Sequence, residues 1–425
     1  MMDVASLKAA ALRSLYDANG GLLASTVAMI LSIFLAFLFY KKRPIAQNPK
    51  ERRYGEWIPV PFSYPAITPH EKQLVEIKPV SYRPYRWGPY HITMGIRKME
   101  WDEWIELDDQ YERYQRIRAH RIATRGEKAV RVLGDTPGLV RGGGEAAVEL
   151  VHELAEYLSR RYPLSFQVTR HGSDVRARCQ YGWDGAPPIR TISVLPLNAT
   201  HHLPLTEDDG KDAAKRALTI SALLIQDDLA ILIEGKDGKY YFQAGAICVP
   251  GFWRMEDKLG KALDEIHISG NVPRYEEKLQ TSMERYFRRL AVNKPVARNN
   301  YFMQVVPSAS DVRKSKIDAE ELAWSESTLG PEDEYGEQQG GGGDEATVER
   351  VRLRTERQTL RRLARSGGIV FTIRVYVVGM SELREEGGEG ARLASAVRSW
   401  PEDVAAYKKR SVINWSEVTE YLASP

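Results

Sequence analysis

Along the chain, apolar and polar positions form one long uninterrupted apolar run, a stretch with no period, and a region of mixed helix and strand patterns. The run Gly21 to Tyr40, GLLASTVAMILSIFLAFLFY, carries no charged residue. About twenty such residues are what a helix needs to cross the hydrocarbon core of a bilayer. One transmembrane helix is therefore expected over residues 21–40, after a tail over residues 1–20 in which Val4, Leu7, Leu12 and Leu15 give a weak amphipathic pattern. No small-residue cleavage site follows the run, so a removed signal peptide is the poorer reading. Lys41 to about Val80 is rich in proline and charge without a sustained period, and reads as an extended linker. Trp57 and the run Pro59 to Tyr64 are its segments able to pack on the domain that follows.

Residues 81–425 carry the periodic elements. Glu145 to Arg161 places Val148, Val151, Leu154, Ala155 and Leu158 on one helical face. Leu229 to Ile233 and Tyr240 to Val249 flank Lys236-Asp237-Gly238 and predict a hairpin. Arg274 to Leu290 repeats Tyr275, Leu279, Met283, Tyr286 and Leu290 at helical spacing. Val351 to Arg365 reads as a basic helix, and Gly368 to Val378 as the β-branched strand after it. Two low-complexity insertions are expected, at about 134–144, with a Gly/Pro cluster, and at about 320–347, acidic and containing Gly340 to Gly343. Strands and helices do not alternate as in a parallel sheet. The expected class is α+β with an antiparallel sheet.

Composition changes this picture little. The chain has 425 residues, 43% hydrophobic and 28% charged, with a formal net charge of +3. That suits a folded domain with a sizeable core and selects no charged partner. No concentrated basic face with interleaved aromatics argues for nucleic acid. Two cysteines, Cys179 and Cys248, exclude a disulfide framework and any four-cysteine metal or iron–sulfur site. Charge does orient the apolar run. Lys41, Lys42, Arg43, Lys50, Arg52 and Arg53 follow it, against Lys8 and Arg13 before it, which puts the large domain in the cytosol. The endoplasmic reticulum is the expected membrane, with a mitochondrial membrane as the other reading. The sequons at Asn198 and Asn414 would be used only in the opposite orientation.

Candidate chemistry is sparse. There is no G-x-S-x-G elbow, no Walker loop and no G-x-G-x-x-G after a strand. His201-His202 are adjacent, so their side chains diverge, and they read as loop histidines rather than joint metal ligands. His267, ahead of a Gly-Asn-Val-Pro turn, is either a hydrogen-bonded core histidine or a ligand to haem iron, with its second ring nitrogen held by a carboxylate or carbonyl. Arg354, Arg357, Arg361 and Arg362 crowd one short segment. They are either a solvated basic face or a clamp on carboxylates, to which the guanidinium fork is suited. Trp101, Trp104, Tyr111, Tyr286 and Phe287 are core side chains or the walls of a cage for a methylated amine. Cys248 reads as a small buried residue, a thiolate ligand being the alternative.

Taken in order, several segments resemble the haem-dependent oxidative N-demethylase-like family. Met94-Gly-Ile-Arg-Lys98 and Trp104-Ile-Glu-Leu-Asp108-Asp-Gln-Tyr111 resemble its opening. Gly251-Phe-Trp253, Glu256-Asp-Lys258-Leu-Gly260, Ile266-His267, Val272-Pro273, Tyr275 and Met283-Glu-Arg-Tyr-Phe287 resemble its central block. Arg298-Asn-Asn300, Thr355-Glu-Arg-Gln-Thr-Leu-Arg361-Arg362-Leu363, Phe371-Thr-Ile-Arg374 and Ala406-Tyr407-Lys408 follow. The resemblance covers nearly all of Arg83 to Leu422 and is to a fungal-type, membrane-anchored form.

The resemblance implies a PAS-like haem-binding core and O2-dependent removal of a methyl group from a small amine. It implies haem b as cofactor, His267 as axial ligand, and Arg357 with Arg354 and Arg361 near the propionates. Without a flavin or nicotinamide fingerprint in the chain, electrons are expected from a partner reductase. Two departures bear on this. The chain reads His267-Ile-Ser-Gly-Asn-Val-Pro273 where bacterial members run almost directly into Pro-Val-Pro, and Leu363-Ala364-Arg365 where a proline is common. A non-catalytic haem or small-ligand sensor, and a membrane scaffold with an empty pocket, remain as competing expectations. PAS-like folds host both catalysis and sensing.

Overall fold

The structure is a computed structural model that describes residues 52–177, 181–306, 319–334, 346–408 and 413–424. The expected transmembrane span, the tail before it and Cys179 lie outside these residues. Among the described residues no helix is long and apolar enough to cross a membrane.

The frame is a seven-stranded antiparallel sheet in the order β1-β8-β9-β10-β6-β7-β2. Its strands are β1 (Arg97–Lys98), β2 (Val130–Val132), β6 (Asp228–Glu234), β7 (Tyr240–Ala246), β8 (Val296–Val305), β9 (Val351–Arg362) and β10 (Ile369–Gly379). A second sheet of three strands joins β3 (Phe166–Arg170), β4 (Ile189–Val194) and β5 (Ala199–His202). The helices used below are α1 (Tyr111–Arg125), α2 (Gly144–Arg161), α3 (Ala213–Leu224), α4 (Leu263–Ser269), α5 (Gln280–Arg289), α6 (Met380–Glu385), α7 (Glu389–Arg398), α8 (Glu402–Tyr407) and α9 (Trp415–Ala423). Mixed helix and antiparallel sheet is the α+β class expected. The β6–β7 hairpin, α2 and β10 fall where their periods place them. The helix expected over Arg274–Leu290 opens with a π-helical turn, Tyr275–Leu279, before α5. His201 and His202 sit on a strand, β5, rather than in a loop.

The expected basic helix at Val351–Arg365 is instead β9, the longest strand of the sheet. It pairs with β8 on one side, Val296 opposite Leu360, and with β10 on the other, Arg361 opposite Val370. All its residues are buried. Arginines at i, i+3 and i+7 imitate an exposed helical stripe, but Val351 and Leu353 alternate with Arg352 and Arg354, and Thr355 and Thr359 are β-branched. Two flanking strands satisfy the backbone on both edges.

This correction redistributes the arginines, because successive side chains on a strand face opposite sides. Arg357 and Arg361 lie on the face covered by α2, α3 and the Trp101–Leu107 segment. Arg354 and Arg362 lie on the other. On the α2 face, Arg357 Nε stands 2.9 Å from Glu106, and Arg361 donates to Glu153 of α2 while lying 4.3 Å from the Trp104 ring. Arg374, also on that face, donates to Asp108 at 2.7 Å. Glu149 of α2 accepts the backbone N–H groups of Arg365 and Ser366 at 2.8 Å, fixing the β9–β10 turn, and its burial pushes its carboxyl up to about 7. Leu150, Val151, Leu154, Leu218, Leu229 and Ile231 fill the space between. A second cluster packs α6, α7 and α9 on the far ends of β8 and β9 through Met303, Val351, Leu353, Leu393 and Val418.

Parts of the segments read as linker and acidic insertion pack on the domain. From Arg52 onward the expected linker is a strap. Trp57 Nε1 donates to the Ala364 carbonyl at 3.1 Å, Tyr64 stacks on Trp183, and Ile67 and Leu74 are buried. Gly367 in the β9–β10 turn has φ +72 and no room for a Cβ beneath the Trp57 ring. The start of the acidic insertion buries Leu322 and Trp324, and Ser325 N donates to Gly251 O at 2.9 Å. The glycine run Gly340 to Gly343 lies outside the described residues.

Candidate functional site

The sheet face opposite α2 carries Arg298, Asn300 and Phe302 from β8, Arg354, Glu356, Gln358 and Leu360 from β9, and Phe371 from β10, as the registers dictate. Asn300, Phe302, Phe371 and Arg298 are only half-buried, so this face opens outward where the α2 face does not. Covering it are α4, the π-helical turn and α5, with Leu263, Ile266, Tyr275, Leu279 and Met283 packed on Leu360, Ile369 and Phe242.

His267 stands in the last turn of α4. Ala262 N–H is held by the Glu265 carboxylate at 3.3 Å, and the helix stops at Gly270. The residues that lengthen the segment between His267 and Pro273 are absorbed by Gly270 and by Asn271 at φ +52, and Val272 N donates back to the His267 carbonyl at 3.1 Å. Nδ1 of His267 lies 2.6 Å from the Leu263 carbonyl. A carbonyl only accepts, so Nδ1 carries the proton and the Nε2 lone pair is free. The ring is stacked on Tyr275, centroids 4.7 Å apart and planes 9° from parallel. Burial, with Lys258 and Arg298 nearby, pulls its pKa down to about 4, so the ring is neutral at pH 7.

Around it the face gathers positive charge. Lys258 has its ammonium 4.2 Å from the Trp253 ring centroid, and burial pulls its pKa to about 8. Lys408, after α8, donates to the Tyr301 carbonyl at 2.7 Å and is enclosed by the Tyr301, Phe302 and Trp400 rings; burial pulls it to about 7. Burial also holds Arg298 below the ordinary arginine value, and its Nε has no partner. Arg354 bonds the carbonyls of Val249 at 2.6 Å and Leu322 at 3.2 Å. Glu356 is the carboxylate whose field reaches all four of these cations. Its Oε2 takes the Gln358 amide at 2.9 Å. Gly251, at φ +73, brings the backbone so near Arg354 that a Cβ would stand 2.6 Å from its Cζ.

Of the expected site residues, the structure brings His267 and Arg354 to one face. Arg357 and Arg361 are on the other, committed to Glu106 and Glu153, and Arg362 is spent on the Leu290, Phe287 and Gly367 carbonyls and the Tyr240 hydroxyl. Of the aromatics singled out, Trp101 and Trp104 hold Arg361 and Tyr111 bonds Leu224 O at 3.1 Å in the core, while Tyr286 and Phe287 pack in the cluster that covers the His267 face. Besides Tyr275 and Phe371, rings on this side include Phe252, Trp253, Phe302 and Tyr407. Cys248 is buried in another cluster, and burial pushes its thiol up to about 11, which keeps it protonated and a poor metal ligand. Among the described residues no group of three or more His, Cys, Asp or Glu could hold a bare metal ion.

Sequence reasoning missed Lys258, Arg298, Glu356 and Lys408 as site residues. All four lie in the motif segments quoted above, and that shared feature was the signal available. A family model described as haem-dependent oxidative N-demethylase, alpha subunit-like, matches residues 95–418 of the 425.

Proposed function

The chain belongs to the haem-dependent oxidative N-demethylase, alpha subunit-like, family, and from that membership we propose that the His267 face is a PAS-like haem pocket where an N-methylated amine is oxidatively demethylated. The observation that carries the proposal is the neutral His267, with Nδ1 held by a carbonyl and Nε2 free, the arrangement in which histidine ligates iron. The rest of the face fits haem as well. Its buried cations outnumber its one shared carboxylate, which suits propionates, and its half-exposed rings suit a macrocycle.

We assign the propionates to Lys258, Lys408 and Arg354. Arg357 and Arg361, on the opposite face, are left to the core. Haem, of the b type by this reading, would supply insertion of one oxygen atom from O2 into the N-methyl C–H bond, with two electrons from an external reductase. The protein's part is to present one imidazole lone pair, to compensate the propionates, and to keep water from the amine with Phe252, Trp253, Phe302 and Tyr407. The hydroxymethyl amine so formed loses formaldehyde and leaves the demethylated amine. We further propose that residues 21–40 anchor the chain in the endoplasmic reticulum or a mitochondrial membrane, with the domain in the cytosol beside a membrane-bound reductase.

The test is the absorption spectrum of the purified chain supplied with haem. A stoichiometric Soret band that shifts on reduction and disappears in His267→Ala supports the pocket. Formaldehyde release dependent on O2, reductant and an N-methyl amine then separates an enzyme from a haem sensor. A folded protein that stays colourless with added haemin would overturn the proposal.

A further inference from the structure

Arg298 of β8 lies directly opposite Gln358 of β9 on the His267 face, where the Cβ atoms of antiparallel partners stand about 5 Å apart. Each keeps one polar atom unused. The Arg298 Nε and the Gln358 Oε1 are both buried with no hydrogen-bond partner, a costly condition for a donor and an acceptor so close together. The amide cannot simply reverse. Its Nε2 donates to Glu356 at 2.9 Å, and a carboxylate can only accept, so the amide oxygen cannot exchange places with the nitrogen. The face therefore presents a cationic donor beside a neutral acceptor.

Charge supports the same conclusion. Lys258 and Lys408 have ammonium groups that burial makes easy to neutralise. The Arg354 guanidinium gives both terminal nitrogens to carbonyls and keeps only its Nε, 3.7 Å from Glu356, without a hydrogen bond. Arg298 and Arg354 are the permanent cations of the face, and Arg298 is the one whose unpaired Nε lies on the strand pair opposite an unpaired acceptor. The groups acting on it electrostatically are Glu356, Tyr90 and Tyr407, along with Lys408 and His267 on which it acts in turn. Two propionates set against Lys258, Lys408 and Arg354 leave Arg298 with only the shared Glu356 as counter-ion. A simple dialkylamine offers it nothing.

We infer that the Arg298–Gln358 pair recognises the amino-acid end of the substrate, so that this enzyme acts on an N-methylated α-amino acid. The substrate carboxylate accepts from Arg298 Nε, and its amine N–H donates to Gln358 Oε1. One carbon separates the two groups in an amino acid, and this matches the side-by-side pair. This rests on the demethylation proposed for the same face. With N-methylglycine the balance is N-methylglycine, O2, two electrons and two protons giving glycine, formaldehyde and water. One oxygen atom ends in formaldehyde and the other in water.

The experiment uses the full chain with haem, and N-methylglycine and dimethylamine as probes. Binding is read by calorimetry and by perturbation of the Soret band, and turnover by formaldehyde. The expected kcat/KM for N-methylglycine exceeds that for dimethylamine by about tenfold or more, the worth of one hydrogen bond to a charged group. Arg298→Gln should lower that ratio about tenfold, chiefly through KM, with haem content retained, and Arg298→Lys should recover part of it. Gln358→Leu, which removes the acceptor without touching charge, should weaken N-methylglycine binding in the calorimeter. Preference for dimethylamine would overturn the inference and leave the demethylase reading standing. Loss of haem from Arg298→Gln with the preference unchanged would also overturn it, by giving Arg298 to a propionate. Formaldehyde from neither probe, with haem bound, would count against the demethylase reading itself and take this inference with it.

Discussion

Arg361 and Glu153 join β9 to α2 through an ion pair whose side chains are 0% and 3% exposed. Replacing Glu153 with glutamine strands a guanidinium in the core. Its Nε and Nη1 already lack partners, and Trp101 and Trp104 enclose its faces at 4.9 and 4.3 Å. Breaking a buried pair from one side costs about 3–5 kcal/mol, because the remaining charge cannot reach water. Unfolding entropy near 60 °C is about 2.1 cal/mol/K per residue. Over the unit Pro49–Pro425 that makes roughly 0.8 kcal/mol/K, so the expected drop in Tm is about 4–6 °C. Glu153→Gln/Arg361→Met, which removes both charges, should recover much of the loss and give a coupling free energy above about 1 kcal/mol in denaturant titrations. Haem content per folded chain should not change in Glu153→Gln, in Arg361→Met or in the double variant. The reasoning is refuted if Glu153→Gln costs under about 1 kcal/mol, or if Arg361→Met keeps its stability and loses haem. The second result would return Arg361 to the propionates.

His267→Gln keeps a similar volume without an imidazole, and should abolish the Soret band while leaving the circular dichroism spectrum unchanged. His152 in α2 is buried, with Nε2 2.9 Å from the Pro204 carbonyl, and burial pulls its pKa from 6.5 to about 4. The unfolded chain therefore binds this proton first, so the contribution of neutral His152 is complete above about pH 6.5 and is lost as pH falls toward 4, up to about 3 kcal/mol. His152→Gln should flatten the decline in denaturation midpoint between pH 6.5 and 4 relative to the parent; an unchanged slope would count against the depressed pKa. Gly251→Ala puts a Cβ 2.6 Å from the Arg354 guanidinium at a positive φ, and should cost about 1–3 kcal/mol and lower haem affinity. Unaltered haem titration would separate Arg354 from the pocket.

Elements with one apolar and one polar face could be read locally. The spacing of Val148, Val151, Leu154 and Leu158 defined α2 to within a residue, and the β6–β7 hairpin followed from apolar runs around Lys236-Asp237-Gly238. β9 could not be read this way, because neither of its faces meets water. Its arginines are buried on both sides, and what allows this is the position of their partners, Glu106, Glu153 and the Val249 and Leu322 carbonyls. No local period records partners that distant in sequence. The amino-acid order by itself determined the apolar run at 21–40, the α+β class, the family resemblance and His267 as the candidate ligand. The tertiary structure alone decided which charges share a face with His267. Register pairs Arg298 with Gln358, α8 delivers Lys408, and the alternation of β9 sends Arg357 and Arg361 to the core. The physical reason is that a strand's period of two fixes which residues are together, while the sheet's neighbours fix which of its two faces stays open.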